Sequence, residues 1–157
     1  MKPTKRHTPA EALAKLMKYC AYQERCHDEV RTKLLELGVY GNDLEEVISK
    51  LIQADFLNEE RFAKAFAGGK FRQNQWGRVK IKLELKQRHI SEYCIAEAMN
   101  EINNAEYQLL IEKLISKKMG DGKETNPIRR NMKVAQYLIG KGFEPELVWQ
   151  KLKPESD

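Results

Sequence analysis

One pattern of apolar residues occurs three times along the chain. A shift of 51 residues superposes five apolar positions of the first copy on five of the second, and a further shift of 53 carries them into a third copy. These positions are Val30, Leu34, Val39, Leu44 and Ile48; then Ile81, Leu85, Ile90, Ile95 and Met99; then Val134, Leu138, Phe143, Val148 and Leu152. A chain that is 41% apolar would rarely fill every one of them by chance. The sequence therefore predicts three tandem units, each of which needs a neighbour to bury its apolar face.

Each unit is predicted to consist of short helices. Ala, Glu, Lys, Leu and Arg lose little side-chain freedom in a helix and supply 74 of the 157 residues, whereas Val, Ile and Thr supply only 20. Capping residues, and proline at the first helical position, mark where helices begin. The predicted starts lie near Pro9, His27, Gly41, Asn58, Gly77, Ser91, Tyr107, Pro127 and Pro145. The predicted fold class is all-α, with three helix-turn-helix-like repeats of three helices in an elongated, curved array.

The periodicity also predicts the domain boundaries. The three repeats are placed at residues 8–53, 54–103 and 104–153, with flexible tails at 1–7 and 154–157. Within each repeat, the second and third helices are joined by a short bend at Gly38, His89 or Gly142. Trp149 is predicted to lie in the core of the last repeat, and the protein is expected to be a monomer.

The sequence lacks the patterns of a catalytic, cofactor or metal site. Gly68-Gly69-Lys70 does not have the spacing of a phosphate-binding loop, so it is interpreted as a loosened helix end or close packing point, or alternatively as a hinge between units. The side chains of Cys26 and His27 are adjacent and would diverge on a helix, which argues against zinc. No apolar run is long enough for a membrane span, and three cysteines suit the reducing cytosol. We therefore expect a cytoplasmic protein that is not an enzyme, needs no cofactor and has no membrane segment.

The positive charge of the chain, which is +5 overall, is concentrated in two clusters. Between residues 70 and 88, seven basic residues accompany one acid, Glu84. Arg78, Lys82 and Lys86 are spaced by four and would form one ridge on a helix. A second cluster surrounds the segment before Pro127. The candidate partner-binding residues are Lys70, Arg72, Arg78, Lys82, Lys86, Arg88, Lys117, Lys118, Lys123, Arg129, Arg130 and Lys133.

Two interpretations of these clusters stay open from the residues alone. They could be solvated helix faces that keep the protein soluble, or surfaces for a phosphate backbone or an acidic protein groove. Phe71 and Trp76 interleave with the first cluster, where aromatic rings could stack on bases. Trp76 precedes a helix start, and a tryptophan there is more often a packed contact between units.

One segment of the second repeat resembles a known protein family. Residues 56–63 read Phe-Leu-Asn-Glu-Glu-Arg-Phe-Ala, and after Phe66 the chain continues with a glycine and a helix of Ile-x-x-x-Leu pattern. This resembles the signature of the RecX family of RecA regulators over roughly residues 10–102, and the third repeat matches by pattern alone. The residues that carry the resemblance are Phe56, Leu57, Asn58, Arg61, Phe62, Ala63, Gly77, Ile81 and Leu85.

The resemblance implies a function and a partner. It implies a regulator that binds the RecA nucleoprotein filament on single-stranded DNA and mostly inhibits RecA recombinase, ATPase and co-protease activities, by blocking filament extension or promoting disassembly. It also places the protein in DNA repair, recombination and the SOS response. Two positions depart from the family pattern: Cys26 replaces the usual serine cap, and His89 replaces the usual glycine at the bend.

The alternative is a tandem helix-turn-helix protein that binds DNA directly, without RecA. Weak binding to single- or double-stranded DNA is compatible with either function. Sequence-specific reading needs Arg, Asn and Gln on an exposed recognition helix. The only such run is Gln73-Asn74-Gln75, which is predicted to lie in a loop.

Overall fold

The computed structural model describes residues 6–153. Over that range the chain forms helices and connecting turns, without a strand. The helices are α1 (Pro9–Tyr22), α2 (His27–Glu36), α3 (Gly41–Gln53), α4 (Glu59–Asn74), α5 (Arg78–Gln87), α6 (Glu92–Met99), α7 (Asn104–Asp121), α8 (Pro127–Gly140) and α9 (Pro145–Leu152). Each helix packs mainly on the other two of its own group of three. The all-α prediction is confirmed, and the boundaries of the three repeats stay predictions.

The helices begin where the sequence provides caps. The Thr8 hydroxyl accepts a hydrogen bond from the Glu11 N–H, and the Glu11 carboxylate accepts one from the Thr8 N–H, both at 3.1 Å. The side chains of Asn58, Ser91, Asn103 and Asn126 each accept a hydrogen bond from a first-turn N–H, in α4, α6, α7 and α8 respectively. Because of the Asn103 cap, α7 begins at Asn104 and not near Tyr107 as predicted. Each cap satisfies a backbone N–H that the first helical turn leaves without a partner.

The repeated apolar positions coincide with the buried ones. All fifteen residues of the sequence pattern are buried except Met99, which is half-buried. The bends also correspond, because Gly38, His89 and Gly142 have positive φ angles of 79°, 60° and 97°. A left-handed backbone is easy for glycine but costs a histidine free energy. The register read from the sequence therefore describes both the core and the turns of each repeat.

The apolar interior is divided unevenly among the three repeats. One core lies entirely within residues 12–57 and is formed by α1, α2, α3 and the turn after them. A second, larger core runs continuously through α4 to α9 and also takes in Cys26 from the first repeat. The first repeat buries most of its apolar face among its own three helices, and Leu57 at the start of the second repeat completes this core.

Repeats two and three are joined through their backbones. The Gly77 N–H donates to the Lys141 carbonyl and the Val79 N–H donates to the Gly142 carbonyl, each at 2.9 Å. A Cβ on Gly77 would stand 2.2 Å from the Gly142 carbonyl oxygen. The Tyr107 ring lies between Phe71 and Phe143, with centroid distances of 5.9 and 5.4 Å. The two repeats thus share main-chain hydrogen bonds as well as a core.

Repeat one is joined to repeat two by polar side chains. Arg61 Nε donates to Glu24 Oε1 at 2.5 Å, and Arg61 Nη1 lies 3.1 Å from Asp55 Oδ1. His89 Nδ1 lies 2.6 Å from Asp28 Oδ2. A groove of about 550 Å³ separates α2 from α5 beside these pairs and is lined largely by charged residues. This joint therefore combines polar side-chain contacts with the burial of Cys26 from repeat one in the larger core.

Several predicted placements need correction. Phe71 is buried in the larger core, so its ring is not available to bases. Trp149 is 37% exposed on α9 rather than part of the core. Gly68 and Gly69 lie inside α4, where Gly68 is buried against the Arg72 side chain, so the interpretation as a close packing point fits and the hinge between units does not. The predicted flexible tail at residues 1–7 is corrected at its end, because the His7 N–H donates to the Leu37 carbonyl at 2.9 Å. The predicted tail residues 1–5 and 154–157 lie outside the described residues.

Cys26 makes the stability of the fold sensitive to alkaline pH. Its thiol is buried at the start of α2, and this burial raises its pKa to about 11 from an ordinary value near 9. The Cys26 thiol ionises at a lower pH in the unfolded chain than in the folded one. Its contribution to the free energy of unfolding is therefore complete below pH 9. It is lost as the pH rises toward 11, by up to about 3 kcal/mol.

Urea unfolding at pH 8, 9, 10 and 11 measures this contribution when the chain is compared with Cys26→Ala. We expect the stability difference between the two proteins to shrink across this range. A constant difference would show that the thiol does not titrate in the folded chain.

Candidate partner-binding surface

The predicted ridge of Arg78, Lys82 and Lys86 is not one surface. Arg78 Nη1 lies 3.2 Å from Glu144 Oε2, and its Nη2 donates to Asn104 Oδ1 at 3.0 Å. The guanidinium also covers the Tyr107 ring at 3.9 Å, and the side chain is only 21% exposed. Burial raises the pKa of Tyr107, whose hydroxyl donates to the Glu144 carboxylate. Arg78 therefore holds repeats two and three together and is removed from the candidate surface.

The remaining part of α5 presents a mixed basic and apolar face. Lys82 and Lys86 are exposed and make no ion pair with any residue from 6 to 153. Val79 and Leu83, which are 49% and 53% exposed, lie beside them at helical spacing. We call these four residues the α5 stripe. The opposite side of the helix buries Ile81 and Leu85, as the sequence predicted.

The other basic residues of the first cluster contact aromatic rings. Lys70 Nζ lies 4.9 Å from the Trp76 ring centroid, and Lys80 Nζ lies 4.3 Å from it. Arg88 pairs with Glu84 at 2.8 Å and covers Phe66 at 4.7 Å. Trp76 is half-buried against the larger core, so its exposed ring area is shared with two lysines. These contacts stabilise the protein surface and leave less ring area for stacking on bases.

Arg72 is exposed near the end of α4. Its guanidinium folds back over Gly68, where a Cβ would stand 2.4 Å from Nη2. The run at residues 73–75 does not lie in a loop as predicted. Gln73 and Asn74 form the end of α4, and Gln75 follows in a left-handed conformation with φ 57°.

The roles of Phe66 and Lys80 were missed by sequence reasoning. Both lie four residues from a partner, Phe66 before Lys70 and Lys80 after Trp76. Phe66 and Lys70 share the surface of α4, where pairs of this spacing meet, so this contact could have been recognised. Trp76 precedes α5, so spacing alone did not predict its contact with Lys80. The pairing of Arg78 with Glu144 left no comparable local signal.

The second cluster lies where α7 ends and α8 begins. Lys117, Lys123 and Arg129 are exposed, and Lys118 Nζ lies 4.3 Å from the Tyr137 ring centroid. Lys133 Nζ pairs with Glu124 Oε2 at 3.3 Å. The Asn126 N–H and the Lys133 ammonium lower the pKa of Glu124, so this acid stays charged. Lys118, Lys123, Arg130 and Lys133 line one small cavity, whereas Lys117 and Arg129 lie outside it.

The family-signature residues position helices. Phe56 and Leu57 pack in the smaller core, while Phe62, Ala63, Ile81 and Leu85 are buried in the larger one. Asn58 caps α4, Arg61 joins repeats one and two, and Gly77 permits the contact with Gly142. This segment therefore fixes the relation between neighbouring repeats.

The described part of the chain contains neither a metal-binding group nor a helix that could span a membrane. From residue 6 to residue 153, there is no group of three His, Cys, Asp or Glu side chains that could hold a metal ion. The helices in this range are too short or too polar to cross a bilayer.

Sequence comparison matches two adjacent parts of the chain to one family. Residues 58–99 match the second three-helix domain of RecX, and residues 105–152 match the third three-helix domain. Together these matches cover more than half of the chain. The structural grouping of α4–α6 and α7–α9 agrees with them.

Curated relatives carry the name regulatory protein RecX. The protein from Pelodictyon phaeoclathratiforme is 27% identical over 142 residues, which are 90% of this chain and 84% of that protein. The protein from Prosthecochloris aestuarii is 29% identical over 142 residues, or 90% of this chain and 91% of that protein. The Lactococcus lactis protein is 30% identical over 128 residues, but these are only 48% of its length.

Solved structures of similar shape have the same name. A crystal structure of regulatory protein RecX has a TM-score of 0.83 and 25% identity, and the match covers 94% of this chain and 73% of that one. RecX from Lactobacillus salivarius has a TM-score of 0.72 over 92% of this chain and 96% of its own, with 24% identity. The second likeness concerns the fold alone.

Proposed function

This chain belongs to the RecX family of regulatory proteins, and from that membership we propose that it is a non-enzymatic regulator of RecA. It binds the RecA filament on single-stranded DNA in the cytoplasm as a monomer. It lowers recombinase, ATPase and co-protease activity by limiting filament extension or promoting disassembly. The proposal needs no chemical step from the chain itself, because a ligand that binds one state of a polymer better than another shifts the equilibrium between them.

The observation that carries the proposal is the α5 stripe. Lys82 and Lys86 make no ion pair with residues 6–153, and two partly exposed apolar side chains accompany them on one helix face. A phosphate backbone is recognised by charge alone, whereas a protein groove offers carboxylates together with apolar area. The mixture on α5 favours a protein partner with an acidic groove.

The double charge reversal Lys82→Glu, Lys86→Glu tests the proposal. RecA ATPase on single-stranded DNA is measured with the regulator at substoichiometric ratios. We expect the unaltered chain to lower the rate and the double variant to need about tenfold more protein for the same effect, because two contacts become repulsive. Circular dichroism should be unchanged, since both side chains are exposed.

Lys15→Glu, Lys18→Glu provides a control with the same change of net charge. These lysines are exposed on α1 and make no ion pair among residues 6–153. Their reversal should leave inhibition within about twofold of the unaltered chain. An equal loss of inhibition in both double variants would show that the α5 stripe is not the binding surface.

Direct DNA binding, the alternative from the sequence, predicts different results. Binding to bare single-stranded DNA would be tight and would fall steeply with salt. RecA would not be needed to retain the protein on DNA, and substoichiometric inhibition would be absent. That combination would replace the RecA proposal with the alternative.

A further inference from the structure

Three successive N–H groups at the start of α5 donate to acceptors in repeat three. At 2.9 Å each, these hydrogen bonds run from Gly77 to the Lys141 carbonyl, from Arg78 to the Tyr107 hydroxyl and from Val79 to the Gly142 carbonyl. The first N–H groups of a helix have no partner within the helix itself. Repeat three therefore supplies the cap of α5, because Gly77 has no side chain that could do so.

The helices at the same place in the other two repeats are capped by their own residues. At the start of α2, the Glu29 carboxylate accepts from the Cys26 N–H at 3.1 Å. At the start of α8, the Asn126 side chain accepts from the N–H groups of Ile128 and Arg129. In α5 the corresponding acceptors come from another repeat, so the start of this helix depends on a neighbour.

The side chain of Arg78 adds to this attachment. Its guanidinium lies 3.2 Å from the Glu144 carboxylate and donates to the Asn104 side chain at 3.0 Å. The Tyr107 hydroxyl, which accepts from the Arg78 N–H, donates to the same carboxylate. Glu144 thus holds the main chain of α5 through Tyr107 and holds the Arg78 side chain directly.

The start of α5 has little local support of its own. The helix is ten residues long, and isolated helices of this length are marginal in water. Its first turn contains no acid, and Arg78 and Lys80 place positive charge at the positive end of the helix dipole. Ile81 and Leu85 anchor the rest of the helix in the larger core, whereas Val79 is exposed and begins the α5 stripe. The first turn of the stripe therefore needs the cap from repeat three.

We propose that repeat three positions the α5 stripe for its partner, with Tyr107 and Glu144 as the positioning residues. When the cap is lost, the first turn of α5 frays and Val79 is no longer aligned with Leu83 and the two lysines. Repeat three thereby contributes to partner binding through α5. Because the stripe is the surface assigned to the RecA filament, this role rests on the proposed function.

Tyr107→Phe tests the positioning role, because it keeps the ring and removes the hydroxyl. In native-state hydrogen exchange, the Arg78 amide should exchange about tenfold faster, since its acceptor is gone, while the Leu85 amide keeps its protection. A surface that is formed only part of the time binds with lower apparent affinity, so the variant should need about fivefold more protein for the same inhibition of RecA ATPase.

Ile111→Val is the matched control for a general loss of stability. Ile111 is fully buried in α7, within the same core as Tyr107. Removal of a buried methyl group and removal of one hydrogen bond usually destabilise a protein to a similar extent. The urea midpoints of the two variants should therefore be similar, yet Ile111→Val should leave the Arg78 exchange rate unchanged and inhibition within about twofold of the unaltered chain. An equal loss of inhibition in the two variants would overturn the positioning role.

Glu144→Gln is a second variant that acts from repeat three. The amide still accepts from the Tyr107 hydroxyl but has no charge for Arg78, so inhibition should weaken by about threefold. If the unaltered chain inhibits RecA and the reversal of Lys82 and Lys86 weakens inhibition, unchanged inhibition in Tyr107→Phe and Glu144→Gln would overturn the positioning role alone. If the unaltered chain does not inhibit RecA, the proposed function fails and the positioning role fails with it. The Arg78 exchange rate then still decides whether repeat three caps α5.

Discussion

Gly77→Ala is expected to lower the free energy of unfolding by about 3 kcal/mol, the upper part of the range for inserting atoms into a packed site. The new methyl group would stand 2.2 Å from the Gly142 carbonyl oxygen and 2.3 Å from the Phe143 nitrogen. Both are backbone atoms, so a side-chain rotation cannot relieve the contact. Repeats two and three would have to separate, which would strain two main-chain hydrogen bonds. Urea unfolding monitored by circular dichroism measures the loss.

Gly69→Ala is the matched control for this substitution. Gly69 lies inside α4, and a Cβ there would meet nothing within 4 Å. Alanine in a helix interior is favoured over glycine by about 0.5–1 kcal/mol, so this variant should be slightly more stable than the parent chain. If the two alanine variants shift the urea midpoint of unfolding in the same direction, the close contact between repeats two and three does not determine the stability of the chain.

Leucine-to-alanine substitutions at equivalent positions of the three repeats should destabilise different numbers of helices. Leu34, Leu85 and Leu138 correspond in the three repeats and are all fully buried. Each substitution should cost about 2–5 kcal/mol, through lost burial and the cavity that remains. Leu34→Ala should destabilise α1–α3 alone, because its core ends at Leu57. Leu138→Ala should destabilise α4–α9 together, since one core joins them.

Hydrogen exchange resolves these outcomes by helix. In Leu34→Ala, amides of α3 should exchange faster while those of α5 and α8 keep their protection. In Leu138→Ala, amides of α5 should lose protection along with those of α8, although α5 lies in another repeat. Acceleration confined to one repeat in all three variants would mean that the larger core behaves as two independent parts.

Local signals account for what the sequence predicted correctly about the fold. Helix starts follow from caps such as Asn58 and Asn126, whose side chains act within three residues of themselves. Turn positions follow from the recurrence of Gly38, His89 and Gly142 in the same register. The division into two cores could not be predicted, because apolar periodicity tells which face is buried but not which neighbour covers it.

The candidate surface was predicted less completely than the fold, for a related reason. Spacing alone predicts a ridge of Arg78, Lys82 and Lys86. Arg78 instead pairs with Glu144, which lies 66 residues away in the sequence and belongs to repeat three. Phe71 has the sequence neighbours of a surface aromatic residue, yet α7 brings Tyr107 against it. Charge spacing therefore identifies candidate surfaces. Contacts with residues distant in the sequence determine which of the basic side chains remain available to a partner.

The uneven joints give the chain a simple mechanical character. Repeats two and three form one unit, because they share a core and main-chain hydrogen bonds. Repeat one meets this unit through the Arg61–Glu24 and His89–Asp28 contacts and through Cys26, which is buried in the larger core. A partner that holds both ends of the chain would therefore bend it most easily beside Asn58. Bending there breaks these two polar contacts and withdraws Cys26 from the larger core.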